Sequence, residues 1–317
     1  ASDVYKRQGC GGAIASVLSG VVRLENVDIR RNEATCGGGV YSPLDSDLVI
    51  VNSLLDSNVA SISGGGLYTN ASISCKIYDS VFRNNSALSA NGGGAYLVSS
   101  LTSSNSGRRS AFFSNLSFVD NSAMNGGGGG IFRSGNVSVT VWNSSFWSNT
   151  GLEGGGLYLV NGSSAFTNVS LISNDGLEDG GGLIASEEES LVMKSCRLRG
   201  NSAGEAGGAL HVSHGAQVQA SGTMYSENVA YGSLVGGGAL YADTGSTVSC
   251  EGDLFESNRA SQGSGGGVYM NGLSELTCSS CLIQNNTAYS DGGGLYTMSS
   301  VVSLENVDIR RNEATCG

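Results

Sequence analysis

The chain has 317 residues, 50 of them glycine and one proline, with 16 basic against 27 acidic side chains and a net charge of −11. A single proline and the lack of a G-X-Y period exclude collagen, and 39% hydrophobic residues in regular order exclude a disordered chain. An acidic, lysine-poor surface argues against nucleic acid and anionic membrane faces as partners, and no apolar run is long enough to span a bilayer.

In chain order, Ala1–Gln8 reads as the translated end of a sequencing adapter and is set aside, leaving 9–317 as one repeat domain. From there two short signals alternate, Φ-x-x-N and G-G-[GA]-Φ-[YF]. Ile29-Arg-Arg-Asn32 leads to Gly37-Gly38-Gly39-Val40-Tyr41, and Leu55-Asp-Ser-Asn58 to Gly64-Gly65-Gly66-Leu67-Tyr68. The asparagine recurs at Asn32, Asn58, Asn85, Asn121, Asn149, Asn174, Asn201, Asn228, Asn258, Asn286 and Asn312, so that ten intervals average 28 residues. A fixed period of this size marks a stacked array.

Between the signals lie strand-like runs such as Asp47-Leu-Val-Ile-Val-Asn52 and Val137-Ser-Val-Thr-Val-Trp142. Helical repeats would not tolerate Gly-Gly-Gly, and the leucine-rich pattern is absent. A repeat of this length holds about three short strands and three turns. The predicted fold is therefore all-β, a right-handed parallel β-helix of about eleven coils. The chain opens at Gly9-Cys10 and stops at Cys316-Gly317, both inside a repeat signal, which predicts truncation at both ends. Residues 301–317 also repeat 21–37 with Ser303 in place of Arg23. The widest interval, Asn85 to Asn121, carries a Ser-rich insertion (roughly Ser99 to Ser110, with Arg108-Arg109) expected to protrude, and a smaller insertion precedes Gly236.

In a β-helix the apolar residue of Φ-x-x-N points inward and stacks on its equivalents. The asparagine is expected to tolerate the left-handed conformation at the corner and to bond its counterpart in the next coil. The glycines supply positive φ and close backbone approach. The aliphatic residue after them faces inward, and the residue after that faces outward.

The paired signals resemble the repeats of the chlamydial polymorphic outer-membrane proteins, with their G-G-A-Φ and F-x-x-N motifs. The form is closest at Gly11-Gly12-Ala13-Ile14, Gly207-Gly208-Ala209-Leu210 and Gly237-Gly238-Ala239-Leu240, and at Phe82–Asn85, Phe118–Asn121, Phe146–Asn149 and Phe255–Asn258. The resemblance covers residues 9–317. It implies a surface-exposed autotransporter passenger acting in adhesion, at the outer membrane if the source is bacterial.

The outward slot reads Tyr41, Tyr68, Tyr96, Phe132, Tyr158, Ile184, His211, Tyr241, Tyr269, Tyr296. Its tyrosines either grip a glycan or a surface protein of a host or neighbouring cell, or stack on one another and brace the sheet. Cys10 and Cys36 share one slot and Cys250 and Cys278 another, close enough for disulfides or for buried stacked thiols. Cys278-Ser-Ser-Cys281 lacks the second pair a zinc site needs. Glu153, Asp179 and Glu205, with Glu178, precede Gly-Gly on successive coils, as solvated corner charges or as a calcium site; no other cofactor is expected. Glu187-Glu188-Glu189 reads as a polar turn. Sequons at Asn70, Asn84, Asn115, Asn136, Asn143, Asn161, Asn168 and Asn285 would accept glycans in a eukaryotic secretory pathway. The acids are scattered, and His211 and His214 are the only histidines. The expected function is thus a non-enzymatic adhesive or structural stalk, extracellular or at the cell surface; the alternative is a carbohydrate-active β-helix enzyme, a lyase or hydrolase.

Overall fold

The computed structural model describes residues 9–16, 20–43, 47–70, 74–99 and 109–316; the adapter-like residues 1–8, and residues 100–108 of the Ser-rich insertion with Arg108, lie outside them. Arg109 and Ser110 do not belong to a loop but open a strand, Arg109–Ser114. Where the sequence shows one unbroken array, the chain divides into two compact units, residues 1–164 and 165–317. Each is a right-handed parallel β-solenoid. There is no α-helix among the described residues, so none is long and apolar enough to cross a membrane.

One coil of the first unit runs Leu67–Asn70, Ser74–Tyr78, Val81–Arg83 and Ser86–Ala87; one coil of the second runs Leu240–Ala242, Thr247–Glu251, Leu254–Glu256 and Arg259–Ala260. These strands belong in that order to four sheets, A to D, in which successive coils pair parallel. The period predicts three strands per coil. The fourth arises because the two residues after each asparagine also pair, as Ser86 does with Val59 and Ser122.

The interior of each unit is filled one slot at a time. After the glycines, Val40, Leu67, Ala95, Ile131 and Leu157 of the first unit and Leu183, Leu210, Leu240 and Val268 of the second are buried in sheet A. Sheet B alternates strictly, as in Val137, Val139 and Val141 inside against Ser138, Thr140 and Trp142 outside. Sheet C contributes one inward residue per coil, and Phe82, Phe118 and Phe146 stack with centroids 4.7 and 4.9 Å apart. Each such ring adds roughly 1.5–3 kcal/mol of burial.

The asparagines end sheet C and form an inter-coil ladder. Asn58 Nδ2 donates to Asn85 Oδ1 at 3.0 Å and to Ile29 O at 3.0 Å, while Asn85 Oδ1 also accepts from the Asn58 backbone N–H at 3.1 Å. Asn85 repeats the pattern with Asn121 and Leu55 O, and Asn121 with Asn149 and Phe82 O. In the second unit the run continues Asn174, Asn201, Asn228, Asn258, Asn286 and Asn312, with amide–amide distances of 2.9 to 3.0 Å. Both amide hydrogens and the acceptor oxygen are thereby used inside a dry corner.

One expectation is corrected here. The left-handed residue is not the ladder asparagine but the one before it: Arg31, Ser57, Asn84, Asp120 and Ser148, for example, have φ of 52 to 57°. That inversion turns the chain so that the asparagine side chain enters the coil. At the next corner Gly64 has φ +69°, and a Cβ on Gly65 would overlap the Gly93 carbonyl oxygen of the adjoining coil. Glycine is required there by both backbone conformation and approach.

Arg133 and Glu189 are among the charged side chains that enter the interior. Arg133 takes the sheet A slot that Leu97 and Leu159 fill in adjacent coils, and donates to Val160 O at 2.8 Å and Ser164 Oγ at 2.9 Å. Gly162 leaves room for its guanidinium. Glu189 is fully buried, which corrects the polar-turn reading of 187–189: Glu187 and Glu188 take left-handed corner conformations and Glu189 turns inward.

Candidate functional site

The ring slot of sheet A points away from the coil interior, and its rings stack along the sheet. In the first unit Tyr41, Tyr68, Tyr96, Phe132 and Tyr158 follow one another with centroids 5.0 to 5.4 Å apart. Their edges are half-buried except Phe132, which is buried. In the second unit His211, Tyr241, Tyr269 and Tyr296 continue at 4.9 to 5.2 Å. Here the rings stack on one another and brace the sheet, and Tyr241 and Tyr269 are only 4% and 3% exposed. Ala206 and Val235, the latter from the small insertion before Gly236, fold over them. Burial pushes the Tyr68 phenol up and the Tyr241 phenol to about 12, so both remain protonated at neutral pH.

The histidine that heads this column is framed by carboxylates. His211 Nδ1 faces Asp179 Oδ1 at 3.6 Å and Nε2 faces Asp243 Oδ2 at 4.0 Å, with both ring nitrogens buried. Asp179 also accepts the Ala206 N–H at 3.0 Å. Burial raises the Asp179 pKa, but the adjacent His211 imidazole and the Ala206 N–H outweigh it and leave the carboxyl below its ordinary value. Asp179 is therefore occupied by its own neighbours, and Glu205 on the next coil is exposed. Among the described residues no group of three or more His, Cys, Asp or Glu side chains is placed to hold a metal ion.

The cysteines are free thiols at Cys10, Cys36, Cys75, Cys196, Cys250, Cys278 and Cys281. Cys250 opposes Cys278 in sheet B, yet both are free thiols, as are Cys10 and Cys36. Burial pushes Cys75 to about 12 and Cys196 to about 11, which keeps them out of thiolate chemistry. Asp253 packs beside the Cys250 thiol and accepts the Thr223 N–H at 2.7 Å, and burial raises its carboxyl to about 6.

Another feature is one that the repeat pattern does not single out. A groove of about 450 Å³ runs along the corner between sheets B and C of the first unit, where Asn26, Asp28, Asn52, Leu54, Asp79 and Arg83 line it. Asn52 Nδ2 bonds Asn26 Oδ1 at 2.6 Å, Asn115 Nδ2 bonds Asp79 Oδ1 at 2.9 Å, and Arg83 pairs with Asp56 at 3.2 Å. The Arg83 bond, against the opposing effect of burial, holds the Asp56 carboxyl below its ordinary value. Farther along the first unit stand the chain's two tryptophans. Trp142 ends a sheet B strand in the column Tyr78–Ser114–Trp142, and Trp147 ends a sheet C strand in the column Arg83–Val119–Trp147. They are 49% and 55% exposed. Their spacing was present in the sequence, but it occurs once, and a reading built on recurrence passes over it.

The family described as right handed beta helix region matches residues 12–175, just over half of the chain. The chain belongs to the right-handed β-helix family. In this β-helix the Chlamydia polymorphic membrane protein repeat matches a second stretch, residues 280–298, which contains Ile283–Asn286 and Gly292–Tyr296. Searches of curated proteins and of solved structures found no significant match.

Proposed function

We propose that this β-helix is a surface-displayed stalk with an adhesive outer surface, acting outside the cell and not as an enzyme. The observation that carries this reading is the division of labour among its slots. Asparagines, inward aliphatics and the sheet A rings join coil to coil, whereas the outer surface of the first unit leaves two tryptophans, and at its B–C corner a polar groove, in water. The match to a polymorphic membrane protein repeat supports a place at the cell surface. The partner is a glycan or a cell-surface protein.

Against the enzyme reading stands the best acid–base set of the molecule, Asp179–His211–Asp243. Its ring nitrogens are buried against its own carboxylates, and a general base must reach a substrate proton. The test uses beads coated with residues 9–317. They should adhere to cell surfaces and release no reducing ends or unsaturated products from neutral or acidic polysaccharides, with or without calcium. Turnover that disappears in His211→Ala or Asp179→Asn would replace the stalk reading with the enzymatic one.

A further inference from the structure

We propose that exposed corner asparagines of this chain are acceptors for N-linked glycans, Asn84, Asn115 and Asn285 foremost among them. The inference deepens the reading of a protein displayed outside the cell and rests on it. A sequon marks only a stretch of sequence. The fold decides where it stands, which amide hydrogens it has to give and whether a bulky sugar has room.

Asn70 apart, whose side chain lies outside the described residues, every sequon asparagine is exposed and stands between strands. In the first unit Asn136 and Asn161 lie between sheets A and B, Asn115 and Asn143 between B and C, and Asn84 between C and D. In the second, Asn168 lies between B and C and Asn285 between C and D. Among the described residues none falls at the Gly-Gly turns between D and A, where even a Cβ on Gly65 would overlap the Gly93 carbonyl oxygen.

Two Asn-Asn pairs show the selection at single-residue scale. In Asn84-Asn85 and Asn285-Asn286 the second asparagine is the wholly buried ladder member, and both of its amide hydrogens are used. Asn85 Nδ2 donates to Leu55 O and Asn121 Oδ1, and Asn286 Nδ2 to Phe255 O and Asn312 Oδ1. Two residues on, the slot turns inward and holds buried Ala87 or Ala288, so no hydroxyl follows the ladder. The first asparagine of each pair takes the left-handed conformation, at φ 53° or 56°, and is followed two residues on by Ser86 or Thr287. Asn84 Nδ2 gives one hydrogen to Asp56 Oδ1 at 3.3 Å and Asn115 Nδ2 one to Asp79 Oδ1 at 2.9 Å, which leaves each a second.

The donor class is an oligosaccharide carried on a lipid diphosphate. The amide nitrogen bonds the anomeric carbon and the sugar–phosphate C–O bond breaks. The lipid diphosphate leaves with that electron pair, and one amide proton passes to base. The product keeps one N–H, enough for the bonds of Asn84 and Asn115, and its sugar stands in water clear of the ladder and the coil interior.

Residues 9–317 are secreted from a eukaryotic host behind a cleavable signal, and the same chain from a bacterial host is the bare control. Peptide-N-glycosidase in heavy-oxygen water converts each glycan-bearing asparagine to labelled aspartate, which peptide mapping locates. Label is expected at Asn84, Asn115 and Asn285 and at no ladder asparagine. Asn26, Asn52 and Asn306 are internal controls: exposed, left-handed corner asparagines without the hydroxyl two residues on, they should stay unlabelled. Ser86→Ala should abolish label at Asn84 and Ser86→Thr retain it, with unchanged β-rich circular dichroism.

Absence of label at all three sites, or equal label at Asn26 and Asn52, overturns the proposal. Bead adhesion separates it from the reading beneath it. A secreted chain that adheres without label rejects the glycans and leaves the stalk standing. A labelled chain that fails to adhere, with its bare counterpart failing too, supports the acceptor sites and removes the adhesive reading.

Discussion

Replacing Asn85 tests whether the ladder, rather than the aliphatic filling, sets the cohesion between coils. Its side chain accepts from Asn58 N at 3.1 Å and Asn58 Nδ2 at 3.0 Å, and donates to Leu55 O at 2.9 Å and Asn121 Oδ1 at 3.0 Å. Leucine is close in size, so Asn85→Leu opens little space and its cost is polar. The Asn58 backbone N–H loses its acceptor in a corner that water does not reach, and the Leu55 carbonyl loses a donor. Asn121 Oδ1 keeps the Asn85 backbone N–H, and Asn58 Nδ2 keeps Ile29 O. Two buried groups stripped of a partner, at about 1–3 kcal/mol each with partial relaxation, give a loss of roughly 2–4 kcal/mol. Asn85→Asp is the sharper probe. It still accepts from Asn58 but turns a carboxylate towards Asn121 Oδ1 with no donor, so it should be at least as damaging at pH 7. Burial raises such a carboxyl pKa, hence its stability should recover as the pH falls and the proton restores one donor. Urea unfolding followed by circular dichroism reads the loss, and hydrogen exchange at the Asn58 amide locates it. A change under about 0.5 kcal/mol for Asn85→Leu, or no pH dependence for Asn85→Asp, would refute the reasoning.

Three further outcomes are expected. Tyr241→Ala should cost about 3–5 kcal/mol, as for a core aromatic, and Tyr41→Ala clearly less, because only Tyr241 is roofed by Ala206 and Val235; equal losses in urea unfolding would contradict the covered-column description. Asp253, raised to about 6 from an ordinary 3.8, holds a proton in the folded state that the unfolded chain has released between those values, so stability should fall by up to roughly 3 kcal/mol as pH rises from 4 to 6. Asp253→Asn should flatten that window, and superimposable profiles would count against it. Cys75 and Cys196 should label with maleimide at pH 7 only in denaturant, as peptide mapping would show; rapid labelling of either in the native protein would contradict their burial.

The fold was legible because its grammar recurs. A side chain that must stack on its equivalent is repeated at the same slot, and Asn, inward Φ and Gly-Gly report the coil directly. The fourth strand escaped because in most coils it is two residues long and carries no hydrophobic alternation, as in Ser86-Ala87. The left-handed residue before each ladder asparagine varies from Arg31 to Ser57 to Asp120, so type does not mark it although conformation does. Sites were less legible for the opposite reason. Tyr241 is covered by a loop whose only sign is a few extra residues before Gly236. His211 meets Asp179 and Asp243 across coils, at separations no local motif records. The Trp142 and Trp147 pair happens once, and repetition hides what is singular.

The asparagine ladder also has a direction. Within each unit every amide presents its oxygen towards the preceding coil and its nitrogen towards the following one, and each junction is chemically the same as the next. A recombination event that removes or copies one whole repeat therefore joins a familiar nitrogen to a familiar oxygen, and no new interface has to be invented. Length becomes a quantity that heredity can adjust in steps of one coil, while any exchange out of phase by even one residue breaks the chain of amides and is rejected at the level of folding.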